Sequence, residues 1–397
     1  MMLAERLDRL GTETAFAVSL AAAQWAAQGH RVFPFHLGDI NLPTPPNVVA
    51  AMDRAIAEGK TGYCPAAGIA VLRDALAADV AARRGLDLTG GQVAVQPGGK
   101  PVITKFLQAV MNPGDGVLFP NPGYPIYESQ IEYLGGRPQP YRYRPTPTGF
   151  AIDLDHLAAQ IDGSTRVLVY NDLQNPLGCE STNEEREAIA AIARHHDLAV
   201  LSDEAYFEMR YAGTSTSIAS LPGMAERTVI LYTFSKKYAM TGWRLGAAIG
   251  PTPVIDAIAK LNTNDESCTT HFVQAAGVEA LTGDPAGPAA ILAELRRRRD
   301  AAVDGLAAVD GLVVARPDAT FYLFPDVTDV MARKGIDDVA EFATAALRAT
   351  GVSFCTRRHF GRPLPGEDRQ YVRFAYSGIS VDDIGEGLAG FAAWANA

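Results

Sequence analysis

Residues 166–206 read RVLVYNDLQNPLGCESTNEEREAIAAIARHHDLAVLSDEAY. Two short apolar runs, RVLVYND and LAVLSDEAY, bracket the helical pattern EEREAIAAIARHHD. Strands that are apolar along their whole length are buried on both faces, as in a parallel sheet covered by helices. The helix start is marked twice, because Ser181-x-x-Glu184 and Thr182-x-x-Glu185 each fit a capping box. His195–His196 fall near its end, where a cation suits the helix dipole.

The same alternation extends outward. QVAVQ (92–96) precedes PVITKFLQAVM, with Pro101 placed for the first helical position, and GVLFP (116–120) precedes PIYESQIEYLG. TVILYTFS (228–235) is one more apolar run. The expected fold class is α/β, a mostly parallel central sheet in a three-layer α/β/α arrangement. From about residue 290 the pattern changes to Ala-rich helices with a few strands, such as ATFYLFP and QYVRFAY. We therefore expect a large domain over 46–289 and a smaller α+β domain made of 1–45 with 290–397.

The 397 residues are 48% hydrophobic, enough for a sizeable core, and the net charge is −10. That charge argues against non-specific binding to nucleic acid or an anionic membrane. The basic run Arg296–Arg299 reads as a solvated helix face. The four cysteines form no CxxC pair, and the seven histidines show neither HExxH nor HxH spacing. No metal site or disulfide framework is expected. The N-terminus lacks a signal-peptide pattern and no apolar run reaches spanning length. These features predict a soluble, cytoplasmic protein.

The unusual polar residues cluster just after the apolar runs. In open α/β sheets ligands bind beyond the carboxyl ends of the strands. PGGK (97–100), NPGY (121–124), Asn171, Asn175, Asp203, Tyr206, Ser235 and Lys236 should therefore share one rim. Gly98–Gly99 offer backbone N–H groups at a helix start, suited to an anion. Ser235 and Arg244 add a hydroxyl and a guanidinium fork for the same phosphate. Asp203 is either a helix N-cap or the partner of a cationic ring nitrogen. Tyr124 offers a stacking face. Asn175 and Tyr206 can donate to a phenolate oxygen. A phosphate, a ring cation, a phenolate, a stacking face and a lysine describe pyridoxal 5′-phosphate.

The chain at this point resembles the fold-type I pyridoxal-phosphate enzymes, specifically class I/II aminotransferases of the aspartate aminotransferase group. KTGYCPAAGIAVLRDAL (60–76), PGGK, NPGYP, QNPLG, SDEAY and TFSKKYAMTGWRLG (233–246) carry the resemblance in the family's order. It implies that Lys236 is the Schiff-base lysine and proton carrier, while Lys237 is a helix-surface charge. Lys236, Asp203 and Tyr206 would be catalytic, and Gly99 and Lys100 would join the cofactor contacts. Arg373, in YVRFAYS, would grip the substrate α-carboxylate beside Gly38 and Asn175. Tyr63 would reach the phosphate of a neighbouring subunit, which implies a homodimer with shared active sites; Thr269 or Thr270 would reach across as well. Lys100 and Thr14, with Thr12 nearby, would bind a distal carboxylate.

The implied reaction moves an amino group from an L-amino acid, Asp or Glu or else an aromatic or aliphatic one, to a 2-oxo acid such as 2-oxoglutarate. Departures from the family pattern, GDINLPTP (38–45), Leu177, Thr233 and Pro101, bear on the substrate more than on the cofactor. An alternative uses the same site for elimination, decarboxylation or oxidation. A non-catalytic cofactor-sensing module is a further class, but the N-terminal segment is too short and not basic enough for a fused DNA-binding unit.

Overall fold

The computed structural model describes residues 2–11, 14–147 and 149–397. Its central sheet has seven strands: β1 (Val93–Gln96), β2 (Gly116–Pro120), β3 (Arg137–Tyr141), β4 (Thr165–Tyr170), β5 (Ala199–Asp203), β6 (Thr228–Thr233) and β7 (Gly246–Ile249). They lie in the order β1-β7-β6-β5-β4-β2-β3. Every pairing is parallel except those of β7, which runs antiparallel to both β1 and β6. This is the expected α/β architecture, and its five apolar runs are five of these strands.

Burial explains the pattern. All residues of β1, β2 and β7 are buried, as are the first five of β6. A chain buried on both faces has no reason to alternate polar with apolar residues. β7, the short run GAAI, carried too little pattern to be read in advance, and β3, the polar run RPQPY, sits at the sheet edge. The antiparallel course of β7 matters for the site. Gly246 lies opposite Gln96 and Thr233, so the turn entering β7 stands level with the carboxyl ends of β1 and β6. Arg244 thereby joins the rim that the parallel strands build.

One of the two capping boxes forms. Thr182 accepts from the Glu185 N–H and Glu185 accepts from the Thr182 N–H, whereas the Ser181 N–H is held by Asp172 Oδ1 at 2.9 Å. The helix runs Asn183–His195. Pro101 is the second rather than the first residue of its helix, Lys100–Val110.

The arginine run corrects the sequence reading. It lies in helix Ala286–Ala307, where Arg296 and Arg297 are exposed but Arg298 and Arg299 are buried. At about 100° per residue, four consecutive side chains sweep most of the helix circumference, so they cannot all face water. Arg298 donates to Glu294, Asn41 and the Ser377 carbonyl, and Arg299 to Asp300 and the Pro317 carbonyl. These two arginines tie the helix to loops around a second core. That core gathers Phe33, Phe35 and Ile40 with residues from the last hundred, such as Phe342, Phe354, Phe374 and Phe391. The strand Phe33–Pro34 pairs in parallel with Val352–Ser353, and Val372–Ala375 lies between two short antiparallel partners. No helix among the described residues is long and apolar enough to cross a membrane.

Candidate active site

The carboxyl ends of the strands open into a cavity of about 600 Å³. Gly99, Lys100, Tyr124, Asn171, Asn175, Asp203, Tyr206, Ser235, Lys236 and Arg244 all line it, as do Gly38 and Arg373. The predicted rim is therefore one site.

Its first wall is the turn after β1. Gly98 has φ +103°, a conformation that glycine adopts without steric cost, and a Cβ there would collide with the Arg244 guanidinium. Arg244 is itself left-handed, with φ +55°, and donates to the Thr241 carbonyl at 2.7 Å. The bare turn thus lets a guanidinium lie against a helix N-terminus, two donors to one anion. Ser235 stands nearby, its hydroxyl accepting from Thr233 Oγ1 at 2.9 Å.

The second wall follows β4 and β5. Asp203 is buried and is no helix N-cap. Its Oδ2 accepts from the Tyr127 hydroxyl at 2.5 Å and its Oδ1 from the Ala205 N–H at 3.2 Å. Burial raises its pKa, against the two donors and the nearby Lys236, which favour the carboxylate. Asn171 donates to the Asp203 carbonyl at 2.9 Å and accepts from the Asn175 N–H, locking the two loops together. Tyr206 pairs with Tyr322, hydroxyl to hydroxyl, at 2.6 Å.

Lys236 is half-buried and donates to the Gly38 carbonyl at 2.7 Å. Burial lowers its pKa to about 8, and the positive charges of Arg373 and Arg244 push the same way, against Asp39 and Asp203. Lys237 corrects its expected role. It lies in a turn rather than a helix, half-buried, with Nζ 3.8 Å from Glu208 and 5.1 Å from the Tyr238 ring centre.

Arg373 sits on the strand Val372–Ala375, buried, between the rings of Tyr322 and Phe360 at 4.6 and 4.7 Å. It donates through Nη1 to Asn175 Oδ1 at 3.0 Å and through Nη2 to the His36 carbonyl at 2.8 Å. Its buried Nε has no partner among the described residues. Burial and the Arg373 charge depress the pKa of His36 to about 4, so that imidazole is neutral near pH 7.

Three sequence-named groups lie apart from this cluster. Tyr63 is 89% exposed and outside the cavity. Thr269 is buried, with its carbonyl accepting from Gln274, and Thr270 is exposed. Thr14 is exposed and is not part of the cavity wall, although the next residues, Ala15 and Phe16, are. Thr12 lies outside the described residues. Sequence reasoning also missed Tyr127, Tyr322, His36 and Phe360. Tyr127 and His36 lay within two residues of a motif and Tyr322 inside a predicted strand, whereas Phe360 carried no signal.

The chain matches the family described as aminotransferase class I and II over residues 31–390. It is 34% identical to the aspartate/prephenate aminotransferase of Thermus thermophilus, covering 98% of each chain. It is 30% identical to the aspartate aminotransferase of Bacillus subtilis, over 98% of this chain and 97% of that one. Among solved structures, a double mutant of the Thermus thermophilus aspartate aminotransferase superposes with a TM-score of 0.90 at 31% identity, covering 99% of this chain and all of the other. The N-succinyldiaminopimelate aminotransferase of Mycobacterium tuberculosis gives 0.91 at 28%, with the same coverage. With motifs, sheet order and cavity in agreement, the chain belongs to the class I and II aminotransferases of fold type I and is a transaminase acting by pyridoxal-phosphate-dependent amino-group transfer.

Proposed function

We propose that this cavity holds pyridoxal 5′-phosphate and that the amino donor is a dicarboxylic amino acid, aspartate or glutamate. Lys100 and Arg373, two cationic side chains on one cavity, carry the substrate reading. The residues also fit the cofactor. The Gly98 turn leaves room for Arg244, Asp203 is buried among donors, and Lys236 has no carboxylate within ion-pair distance among the described residues.

Gly99, Ser235 and Arg244 would hold the phosphate, Tyr124 would face the ring, and Asn175 and Tyr206 would donate to its phenolate oxygen. Asp203 would keep the ring nitrogen protonated. When bound, the cofactor supplies an electron sink for the substrate α-carbon. Lys236 Nζ takes and returns the α-proton. With a pKa near 8, about a tenth of that amine is neutral at pH 7, far more than for an ordinary lysine. Arg373 orients the α-carboxylate, for which its unpartnered Nε is a spare donor. Gly38 lets the backbone approach the same group.

Tyr63, in solvent on a lone chain, is assigned to the site of a second copy in a homodimer. The division into 46–289 and 1–45 with 290–397 is supported by a core around Phe342 and Phe374 drawn mainly from the second unit, joined by Leu173, Tyr206, Met209, Tyr211 and Ala239. We assign the enzyme to the cytoplasm, in keeping with its four free cysteines.

The test is the half-reaction with single amino acids and no acceptor. Lys100→Ala should raise KM for aspartate roughly 10–100-fold, the worth of one charge-assisted hydrogen bond, and leave alanine little changed. Unchanged aspartate kinetics would end the dicarboxylate reading. A second reading, an aromatic or aliphatic donor, is favoured by the apolar lining from Ala15, Phe16, Leu37 and Phe360.

A further inference from the structure

We propose that Tyr322 is a positioning residue for the transamination, its hydroxyl donating to the Tyr206 oxygen so that the Tyr206 proton is aimed at the cofactor. The inference rests on the assignment of Tyr206 to the cofactor's phenolate oxygen made above.

The two hydroxyls are 2.6 Å apart and both rings are buried. Either oxygen could be the donor on geometry alone, but the reaction selects one. If Tyr206 spent its proton on Tyr322, it would present lone pairs to a phenolate, which is repulsive. If Tyr322 donates, Tyr206 keeps its own proton for the cofactor. Two O–H groups in series also polarise each other, which makes the terminal one the stronger donor.

The backbone is built to hold this pair. The Thr320 N–H donates to the Met209 carbonyl at 2.8 Å and the Tyr211 N–H to the Asp318 carbonyl at 2.7 Å. The Tyr211 hydroxyl donates to the Thr320 carbonyl at 2.6 Å. The chain carrying Tyr206 is thereby laced to the chain carrying Tyr322. Thr320 is fully buried with φ +66°, a conformation unfavourable for a β-branched residue and kept only where the surroundings enforce it. It lies two residues before Tyr322 and sets its direction.

Tyr322 touches two further working parts. Its ring lies under the Arg373 guanidinium, and its hydroxyl abuts Gly38, where any side chain would collide with it. The Gly38 carbonyl in turn accepts from Lys236. The charged and titratable groups around the pair are Arg373, Asp203, Lys236 and Cys355. A phenylalanine at 322 would keep the ring under Arg373 and remove only the hydroxyl.

The experiment compares the wild type with Tyr206→Phe, Tyr322→Phe and the double variant, with thermal midpoints to confirm folding. Three quantities are read: affinity of the apoenzyme for pyridoxal phosphate, the pH midpoint of the holoenzyme's visible absorbance change, and kcat and KM of the half-reaction. Tyr322→Phe should weaken cofactor binding about two- to tenfold, the span of one neutral hydrogen bond. It should shift the absorbance midpoint in the direction Tyr206→Phe shifts it, by less, and lower kcat with KM unchanged. Tyr322→Leu, which also removes the ring under Arg373, should raise KM as well. The double variant should match Tyr206→Phe alone, because Tyr322 acts through Tyr206. A Tyr322→Phe enzyme with wild-type affinity and midpoint, or a double variant whose effects add, overturns the relay. A Tyr206→Phe enzyme with the wild-type midpoint overturns the assignment of Tyr206 first, and the relay with it.

Discussion

Two lysines, Lys105 and Lys236, point inward, and their surroundings differ. Lys105, on the helix after β1, is buried and saturated. Its Nζ donates to Asn262 Oδ1 at 2.8 Å and to Glu266, and Asp265 lies 3.8 Å away. Asn262 also accepts from Gln96 and donates to the Ala66 and Val95 carbonyls. Lys236 has fewer partners: among the described residues its one hydrogen-bond acceptor is the Gly38 carbonyl, and burial, with two guanidinium groups, lowers its pKa. A buried cation given carboxylates is a strut. One given burial, a carbonyl and two like charges has its pKa drawn down toward neutral pH, so that a usable fraction is unprotonated.

The sharpest way to break this contrast is to remove each amine. Lys236→Ala should lower the half-reaction rate by about 10⁴-fold or more, since base and cofactor anchor go together. Single-turnover absorbance checks it. A residual rate within tenfold of the wild type would move the chemistry elsewhere.

Lys105→Met should do the reverse. Breaking a buried pair costs about 3–5 kcal/mol, here nearer 2–4 because the Glu266 side chain keeps 21% of its surface exposed. Urea unfolding should show that loss, while the half-reaction of the folded variant stays within about tenfold.

The pH dependence of the apoenzyme tests Lys236 from another side. Its folded pKa, about 8, lies below the ordinary 10.5, so the unfolded chain binds more protons between those values. Stability should therefore rise with pH across that window. The penalty at pH 7 is up to about 3 kcal/mol, from roughly 1.4 kcal/mol per unit less the screening by water in the cavity. Lys236→Met should be flatter over the same range and more stable at pH 7. A parallel pair of stability curves would refute the depressed amine.

The smallest effect belongs to the neighbour. Lys237→Ala should change stability by about 1 kcal/mol or less and the rate by less than about twofold, as suits a loose 3.8 Å ion pair with Glu208.

The groups that were legible in the sequence are those whose chemistry is costly to place by accident: a lysine after a serine, an aspartate ending an apolar strand, a glycine pair at a turn. The strands were legible because burial on both faces leaves a continuous apolar run. Tyr127 and Tyr322 were not, because a phenol in PIYES or ATFYLFP looks like ordinary core until its oxygen is seen against Asp203 or Tyr206. Lys105 hid for the same reason inside a helical pattern, its partner Glu266 more than 150 residues away. Arg298 and Arg299 were misread because a run of charge says nothing of which way each side chain turns. Pairing across sequence distance decides all of these, and no local pattern encodes it.

Tyr63, exposed on a lone chain, has a consequence in genetics. In the homodimer proposed here every working centre is assembled from two gene products. A damaged Tyr63 on one polypeptide and a damaged Lys236 on another would then lie at the same centre in one half of a hybrid and leave the other half intact. Two alleles, one crippled and one dead when expressed alone, should together restore measurable growth on whatever nutrient the reaction supplies.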